Sequence, residues 1–288
     1  MANTVLFQEI WEESLQARLD APSNWKDVCD VIYTNERVIH KPYINSPTVQ
    51  TTARGSAYTY QDWTETDDSL TISTIRILPT FIDRADLAQS KFTSIVDLAK
   101  RQGRLVDEAI ESNWLSLHTN WTDFGTSSIG GGGAATTPIT VSATNVDDIC
   151  RGVVREIREA NGQEELSRNG AFIVWRAADF EILEGFAQAN GYGSADDALK
   201  NGLAPHVKYL GIDHYVSTLH TANHLIGGVK KVYWAGVLKD TYGKVYEVQE
   251  PAGASGGNVS AVGIVTRADF GFELLTNVVP IVFDINVA

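Results

Sequence analysis

The chain has 288 residues, of which 43% are hydrophobic and 20% charged, and its formal net charge at pH 7 is −13. This composition is typical of a globular protein with one large domain, or with two that share a core. The acidic charge repels a phosphate backbone, so general duplex binding is disfavoured, and we expect no sequence-specific binding of nucleic acid.

Cross-linking and targeting patterns are absent from the sequence. The two cysteines, Cys29 and Cys150, lie far apart and outside any CxxC motif, which excludes a disulfide scaffold and indicates synthesis in a reducing cytosol. The N-terminus is acidic and lacks the basic and apolar regions of a signal peptide. Because no run approaches ~18 apolar residues, we predict no membrane-spanning helix.

The N-terminal residues have the pattern of an amphipathic helix followed by an extended arm. The apolar positions at helical spacing are Phe7, Ile10, Trp11, Leu15 and Leu19. The helical pattern ends near Ala21-Pro22, and residues 23–47 show no sustained period. We predict contacts between subunits for Phe7 and Trp11.

Residues 48–80 are predicted to form a β-hairpin. The run TVQTTARGSAYTYQDW favours a strand, Glu65–Ser69 is a polar turn, and LTISTIRIL follows as a second strand. Both faces have few apolar residues, and such a hairpin needs a surface to pack on. We therefore predict that Tyr58, Tyr60 and Trp63 contact other subunits, in preference to packing within one subunit.

One helical stripe from about Arg84 to Leu117 predicts a helix far longer than the mean of about 11–12 residues. Charged residues, including Glu111, occupy its opposite face. Residues 125–138 follow as a flexible loop with four consecutive glycines, Gly130–Gly133. A phosphate-binding loop is not indicated, because no Gly-Lys-Ser/Thr follows these glycines.

The second half of the chain alternates between helical and strand patterns. Asn145 is predicted as the N-cap of a helix that buries Cys150 and ends at Asn161-Gly162. AFIVW at 171–175 is a buried strand, and a helix to about Asn190 follows it. The remaining predictions are a short helix at 195–200 and strands at 206–218, 229–236, 244–249, 259–266 and 278–287.

Three histidines, His214, His220 and His224, are the candidate metal ligands, and the last two have the i, i+4 spacing of a metal-binding helix. Thr221 stands where a zinc protease has its catalytic glutamate, and the surrounding pattern indicates strand and loop. A polar loop is therefore favoured over a metal site. Paired acids lie at turns and helix starts, so we assign no catalytic, metal-binding or cofactor-binding residue and no cofactor.

The order of these elements resembles that of tailed-bacteriophage major capsid proteins, the Hong Kong 97 fold. NTVLFQEIW resembles the start of these proteins, TVQTTARGSAYTYQDW their extension loop, and FTSIVDLAKRQGRLVDEAIESNWLSLH their spine helix. AFIVWRAADFEIL and NGLAPHVKYLGIDHYVSTL resemble parts of their axial domain. The motif positions of the latter stretch are Gly202, Gly211, Ile212 and Ser217.

The resemblance implies an α+β fold of the Hong Kong 97 type with several parts. In chain order these are an N-terminal helix and arm at 1–47, an extension-loop hairpin at 48–80, a peripheral domain with the spine helix and glycine-rich loop at 81–144, an axial domain at 145–258, and return strands of the peripheral domain at 259–288.

The resemblance also implies a function: self-assembly into the icosahedral head shell that encloses a phage genome, without enzymatic activity. The implied partners are many copies of the chain as hexamers and pentamers, a separate scaffolding protein, and a portal protein at one vertex. Synthesis and assembly in the host cytoplasm are expected, with no membrane and no cleaved pro-segment. No cross-linking residue is assigned.

Two alternatives stay open from the sequence. An encapsulin-type bacterial nanocompartment shell has the same fold and a different cargo. A more remote alternative is a metal-dependent enzyme that uses His214, His220 and His224.

Overall fold

The computed structural model describes residues 23–44, 47–62, 64–83, 94–190, 206–242, 244–249 and 261–288. These residues form a mixed α+β fold with two main sheets. Several predicted features lie outside the described residues, namely the N-terminal helix with Phe7 and Trp11, Trp63, Gly202 and the short helix at 195–200.

The helices in the described part of the chain are α1 (Trp25–Val28), α2 (Ser94–Ser116), α3 (Val146–Glu159), α4 (Gln163–Asn169) and α5 (Ala177–Ala189). Short 3₁₀-helices occur at Leu117–Asn120, Thr126–Ile129 and Thr276–Ile281. The long predicted helix is confirmed from Ser94 onward as α2. No helix among these is long and apolar enough to cross a membrane.

A five-stranded sheet is organised about one long strand. β12 (Ala261–Leu274) pairs antiparallel with β4 (Thr74–Asp83) along one edge, and with β10 (Tyr233–Leu238) and β11 (Lys244–Gln249) along the other. β1 (Asp30–Thr34) extends the sheet by pairing parallel to β10. Part of the predicted arm is therefore a strand of this sheet.

A six-stranded sheet forms the second layer. Its strands, in spatial order, are β5 (Thr122–Phe124), β13 (Val282–Asn286), β9 (His224–Val229), β6 (Ala171–Trp175), β8 (Ile212–Val216) and β7 (His206–Tyr209). As predicted, β6 is buried at every position. β10 and β11 come from the range predicted as axial domain but pair in the five-stranded sheet, while β13 pairs in this one. The domain boundaries themselves stay a prediction.

The predicted pairing of the hairpin is wrong. β2 (Val38–Ile44) pairs antiparallel with β3 (Glu65–Thr71), so Glu65–Ser69 lies in a strand and is not a turn. Residues 47–62, which connect the two strands, contain no strand. β3 could not be recognised from the sequence pattern because Leu70 is its one buried side chain. Its partner, β2, also lies in the segment that we predicted as arm.

α3 begins where predicted, but Asn145 does not cap it in the predicted way. The Asn145 Oδ1 accepts a hydrogen bond from the Ser142 N–H at 2.8 Å, and its Nδ2 donates to the Thr140 carbonyl at 2.8 Å. The side chain therefore stabilises the turn before the helix. Asn161, in the left-handed conformation with φ 60°, ends the helix as predicted.

A two-residue turn divides the predicted strand 206–218 into β7 and β8. Leu210 and Gly211 both have positive φ, 54° and 77°, as a type I′ hairpin turn requires. Gly211 adopts this conformation without steric cost. The next motif residue, Ile212, and Ser217 after β8 are fully buried.

Buried side chains from both sheets form one hydrophobic cluster. Trp114, near the end of α2, packs beside the six-stranded sheet with its ring 6.4 Å from the rings of Trp121 and Phe172. Trp121 Nε1 in turn donates a hydrogen bond to the hydroxyl of Tyr233, in β10 of the five-stranded sheet, at 3.2 Å. Cys150 is fully buried on α3, as predicted.

Two glycines let the end of β3 pass close to the five-stranded sheet. Gly236 in β10 and Gly271 in β12 stand opposite each other. A Cβ at Gly271 would lie 2.3 Å from the Thr71 carbonyl oxygen, and one at Gly236 would lie 2.6 Å from Leu70 Cδ2. Leu70 and Ile72 are buried, so the end of the β2–β3 pair packs against the five-stranded sheet at Gly236 and Gly271.

Gly271→Ala is expected to lower the free energy of unfolding by about 1–3 kcal/mol, because the added methyl group overpacks the contact with Thr71. Gly103→Ala in α2 is the matched control, since nothing lies within 4 Å of a Cβ there. Alanine favours helices, so this control should be neutral or stabilising by up to about 1 kcal/mol. Urea denaturation measures both, and unchanged stability of Gly271→Ala would contradict the close approach.

Candidate subunit-contact surface

Residues 47–62 form a long exposed loop between β2 and β3. Gln61 holds its two arms together, since Nε2 donates to the Thr48 carbonyl at 2.7 Å and Oε1 accepts from the Thr48 N–H at 2.8 Å. Gln50 makes the same pair of hydrogen bonds with Thr59, at 2.9 and 3.3 Å. The loop is therefore a narrow ribbon whose shape depends on glutamine side chains.

Tyr58 and Tyr60 lie together on this loop and face solvent. Their side chains are 64% and 84% exposed, their ring centroids are 5.4 Å apart, and their hydroxyl oxygens are 3.3 Å apart. Val49 on the same loop is 92% exposed. Clustered aromatic and apolar side chains outside a core are typical of an interaction surface.

A second apolar surface lies on β4. Ile75, Ile77 and Phe81 alternate along the strand and are exposed on one face of the five-stranded sheet. α2 covers the opposite face, where Gln102 Nε2 donates to Thr80 Oγ1 at 2.5 Å. The exposed loop and this β4 face are thus two different apolar surfaces of one chain.

The start of the described arm is held by a buried carboxylate on α2. Glu111 Oε2 accepts hydrogen bonds from the backbone N–H groups of Asn24 (3.0 Å) and Trp25 (2.8 Å), and Oε1 accepts from Asn24 Nδ2 at 3.3 Å. Burial raises the pKa of Glu111 to about 7, although these hydrogen bonds favour the carboxylate. The sequence pattern placed Glu111 on the charged face of the helix, and it is fully buried.

Polar and aromatic contacts beside Glu111 strengthen the attachment of the arm. Lys26 Nζ and the Tyr242 hydroxyl donate to the two oxygens of Asp107 at 2.8 and 2.7 Å. The Trp25 ring packs edge-on against Phe272 and Tyr242, with centroid distances of 6.0 and 6.5 Å. The arm therefore crosses α2 and the five-stranded sheet at a defined point.

The predicted histidine cluster does not converge on one site. His214 is fully buried in β8, where its Nδ1 accepts a hydrogen bond from Trp175 Nε1 at 2.8 Å. Burial lowers the pKa of His214, and that of His220, to about 4. His224 lies apart from them, beside His118 and Asp284. His214 lies within the strand predicted at 206–218, which β8 confirms, but its side chain is fully buried and not in a polar loop.

The glycine-rich segment 125–138, which we predicted as a flexible loop, folds back on itself and begins with the 3₁₀-helix Thr126–Ile129. The Thr126 N–H donates to the Thr137 carbonyl at 3.1 Å. A Cβ at Gly125 would lie 2.2 Å from the Ala135 carbonyl oxygen. Here glycine permits a close backbone approach, which composition alone cannot reveal.

No protein-family model matches the sequence, and no curated protein matches it. Solved structures do match over almost the whole chain. A chain of Mycobacterium phage Che8 has a TM-score of 0.74 at 16% identity, covering 98% of both chains. The capsid of an empty GTA particle has a TM-score of 0.67 at 13% identity, covering 98% of this chain and 96% of that one. The mature capsid of bacteriophage PhiM1 has a TM-score of 0.62 at 11% identity, covering 98% of this chain and 92% of that one.

This chain has the phage capsid-protein fold. The capsid resemblance drawn from the sequence is confirmed at the level of fold, and so is the mixed α+β class. The Glu111 contact could not be found from the sequence, because its partners, Asn24 and Trp25, lie more than 80 positions away.

The contribution of Glu111 to the stability of the folded protein is expected to fall as the pH rises from about 5 to about 8, whereas the buried histidines His214 and His220, whose pKa values are lowered to about 4, contribute in the opposite direction. The pKa of Glu111 is raised to about 7 in the folded protein, against about 4.3 in an unfolded chain, so folding binds a proton in this range and deprotonation weakens it. Glu111→Gln removes this titration, so the stability of the variant relative to the wild-type protein should rise across this pH range by up to roughly 3 kcal/mol.

Urea midpoints across this pH range, measured on the unassembled chain, give the comparison. Glu159→Gln is the control, because Glu159 lies on the exposed face of α3, and it should leave the slope of the profile unchanged. Identical slopes for the wild-type protein and Glu111→Gln would contradict the assignment.

Proposed function

We propose that this chain is the major capsid protein of a tailed bacteriophage and assembles into the icosahedral shell that encloses the genome. The similarity to capsid structures carries this proposal because it extends over 98% of the chain and is not confined to a common substructure. The proposed function is structural, and no catalytic role is assigned to any residue.

The proposal assigns a capsid role to each part of the fold. α2 is the spine helix, the five-stranded sheet belongs to the peripheral domain, and the six-stranded sheet with α3–α5 belongs to the axial domain. The loop at 47–62 is the extension loop, and residues 23–44 include the arm. These assignments rest on element order, on sheet membership and on the contacts of α2 with both sheets.

The exposed surfaces support assembly through unlike contacts. A closed ring of identical subunits needs one surface that meets a different surface on the next copy. The loop with Tyr58 and Tyr60, and the β4 face with Ile77 and Phe81, provide two such unlike apolar surfaces. We propose that the loop of each subunit packs on its neighbour, and that Phe7, Trp11 and Trp63 also contribute contacts.

The proposed partners and location follow from this role. Many copies form hexamers and pentamers, a separate scaffolding protein guides assembly in the host cytoplasm, and a portal protein occupies one vertex of the virion. The net charge of −13 would limit adhesion between shell and packaged DNA.

The encapsulin alternative is not favoured, because the similar structures come from phages and GTA particles. The enzyme alternative is not favoured either, because the histidines do not converge.

The double variant Tyr58→Ser/Tyr60→Ser is expected to fold normally and fail to form shells, because both side chains lie outside the core and at the proposed contact. Tyr58→Phe/Tyr60→Phe is the matched control, since it keeps both rings and should still assemble. Negative-stain electron microscopy after co-expression with a scaffolding protein counts the shells, and circular dichroism checks the fold. Shells of normal yield from the serine variant would refute the contact.

A further inference from the structure

His118, His224 and Asp284 bring potential metal ligands together from three separate elements. His118 lies in the 3₁₀-helix that continues α2, His224 begins β9, and Asp284 lies in β13. One ligand atom from each lies within 4.8 Å of the other two. The Nδ1 atom of each histidine is 3.0 Å from an oxygen of Asp284. Atoms bound about 2.1 Å from one ion lie roughly 3.0–3.4 Å apart, so the two nitrogen–oxygen distances are compatible with shared coordination.

The charge around Asp284 also favours a cation. Its side chain is 6% exposed, and its ion pairs within the described residues are made with His118 and His224. Asp123 stands opposite Asp284 on β5, which adds a second carboxylate at the same edge of the sheet. Because a buried carboxylate is costly without a compensating positive charge, a bound cation would stabilise this arrangement.

The two imidazole rings meet at one carboxylate, and one ring must turn before both nitrogens can bind the same ion, because the in-plane lone pairs of stacked rings run nearly parallel. The rings stack with centroids 3.9 Å apart and planes 24° apart, and both direct Nδ1 to the same carboxylate. His224 is 28% exposed, which gives an ion access and gives the ring room to turn toward it. Imidazole nitrogen with a carboxylate oxygen suits zinc and similar transition metals, whereas calcium and magnesium prefer oxygen ligands alone.

We propose that His118, His224 and Asp284 bind one divalent transition-metal ion, for which Zn²⁺ is the probe. The ion would join the end of α2 to β9 and β13, and would stabilise the subunit without catalysing a reaction. Three protein ligands leave a coordination position for water. His214 and His220 take no part, so this site differs from the histidine cluster of the sequence.

Zinc binding to the full chain, expressed without a histidine tag and stripped with a chelator, tests the proposal. Elemental analysis after gel filtration is expected to find about one zinc per wild-type chain, and zinc should raise the melting temperature, since binding to the folded state stabilises it. His224→Gln keeps a side-chain donor near Asp284 but removes the imidazole ligand, so its zinc affinity should fall by at least about tenfold.

His40→Gln is the matched control. His40 also pairs with an aspartate, with Nδ1 2.5 Å from Asp67 Oδ2, but it is exposed and should keep wild-type zinc binding when substituted. Asp284→Asn, which preserves shape and removes the charge, should lose zinc as His224→Gln does. Wild-type protein that binds no zinc, or equal zinc affinity in wild type and His224→Gln, would overturn the proposal and leave a hydrogen-bonded cluster only. Either result would leave shell assembly untouched as a separate question.

Discussion

The packing of α2 against three other parts of the chain is the constraint on which the rest of the structure depends. Along this helix, Gln102 bonds to β4 and β12, Glu111 holds the arm, and Trp114 packs on β6. His118, just beyond it, reaches β13. Gln102 and Glu111 lie nine residues apart and therefore project from opposite sides of the helix, so α2 contacts the five-stranded sheet, the arm and the six-stranded sheet on different faces. A shift of α2 along its axis would break these contacts and separate the helix from the two sheets.

Several of these α2 contacts are hydrogen bonds made by buried polar side chains. Gln102 and Glu111 are almost completely buried, and each satisfies its hydrogen bonds across more than 20 positions of sequence. A buried polar group is costly unless its partners are in place, so such groups penalise shifted packings more strongly than leucine or valine would. The attachment of the arm therefore has one favoured geometry, and the ionisation of Glu111 changes its strength.

The same core leaves the two proposed assembly surfaces out of the packing within the subunit. Leu70 and Ile72 anchor the β2–β3 hairpin on Gly236 and Gly271, so the loop beyond them needs no core of its own. Its tyrosines and the β4 face remain exposed while α2 covers the inner face of the sheet. The proposed role as a shell subunit requires this separation, because contacts with neighbours must form without loosening the fold that presents them.

The sequence alone was enough to predict the local elements whose apolar pattern is periodic and whose burial is strong. α2, α3 and β6 follow from apolar spacing, the turn at Asn161 from its left-handed preference, and the capsid resemblance from the order of such elements. The tertiary structure alone decided which strands pair and which polar side chains meet. β3 has one buried residue and takes its partner from the arm. Glu111 and Asp284 resemble surface acids in sequence and become buried only when distant segments cover them. Periodicity records the environment of one element along the chain, whereas pairing and burial depend on contacts between residues that the chain brings together only on folding.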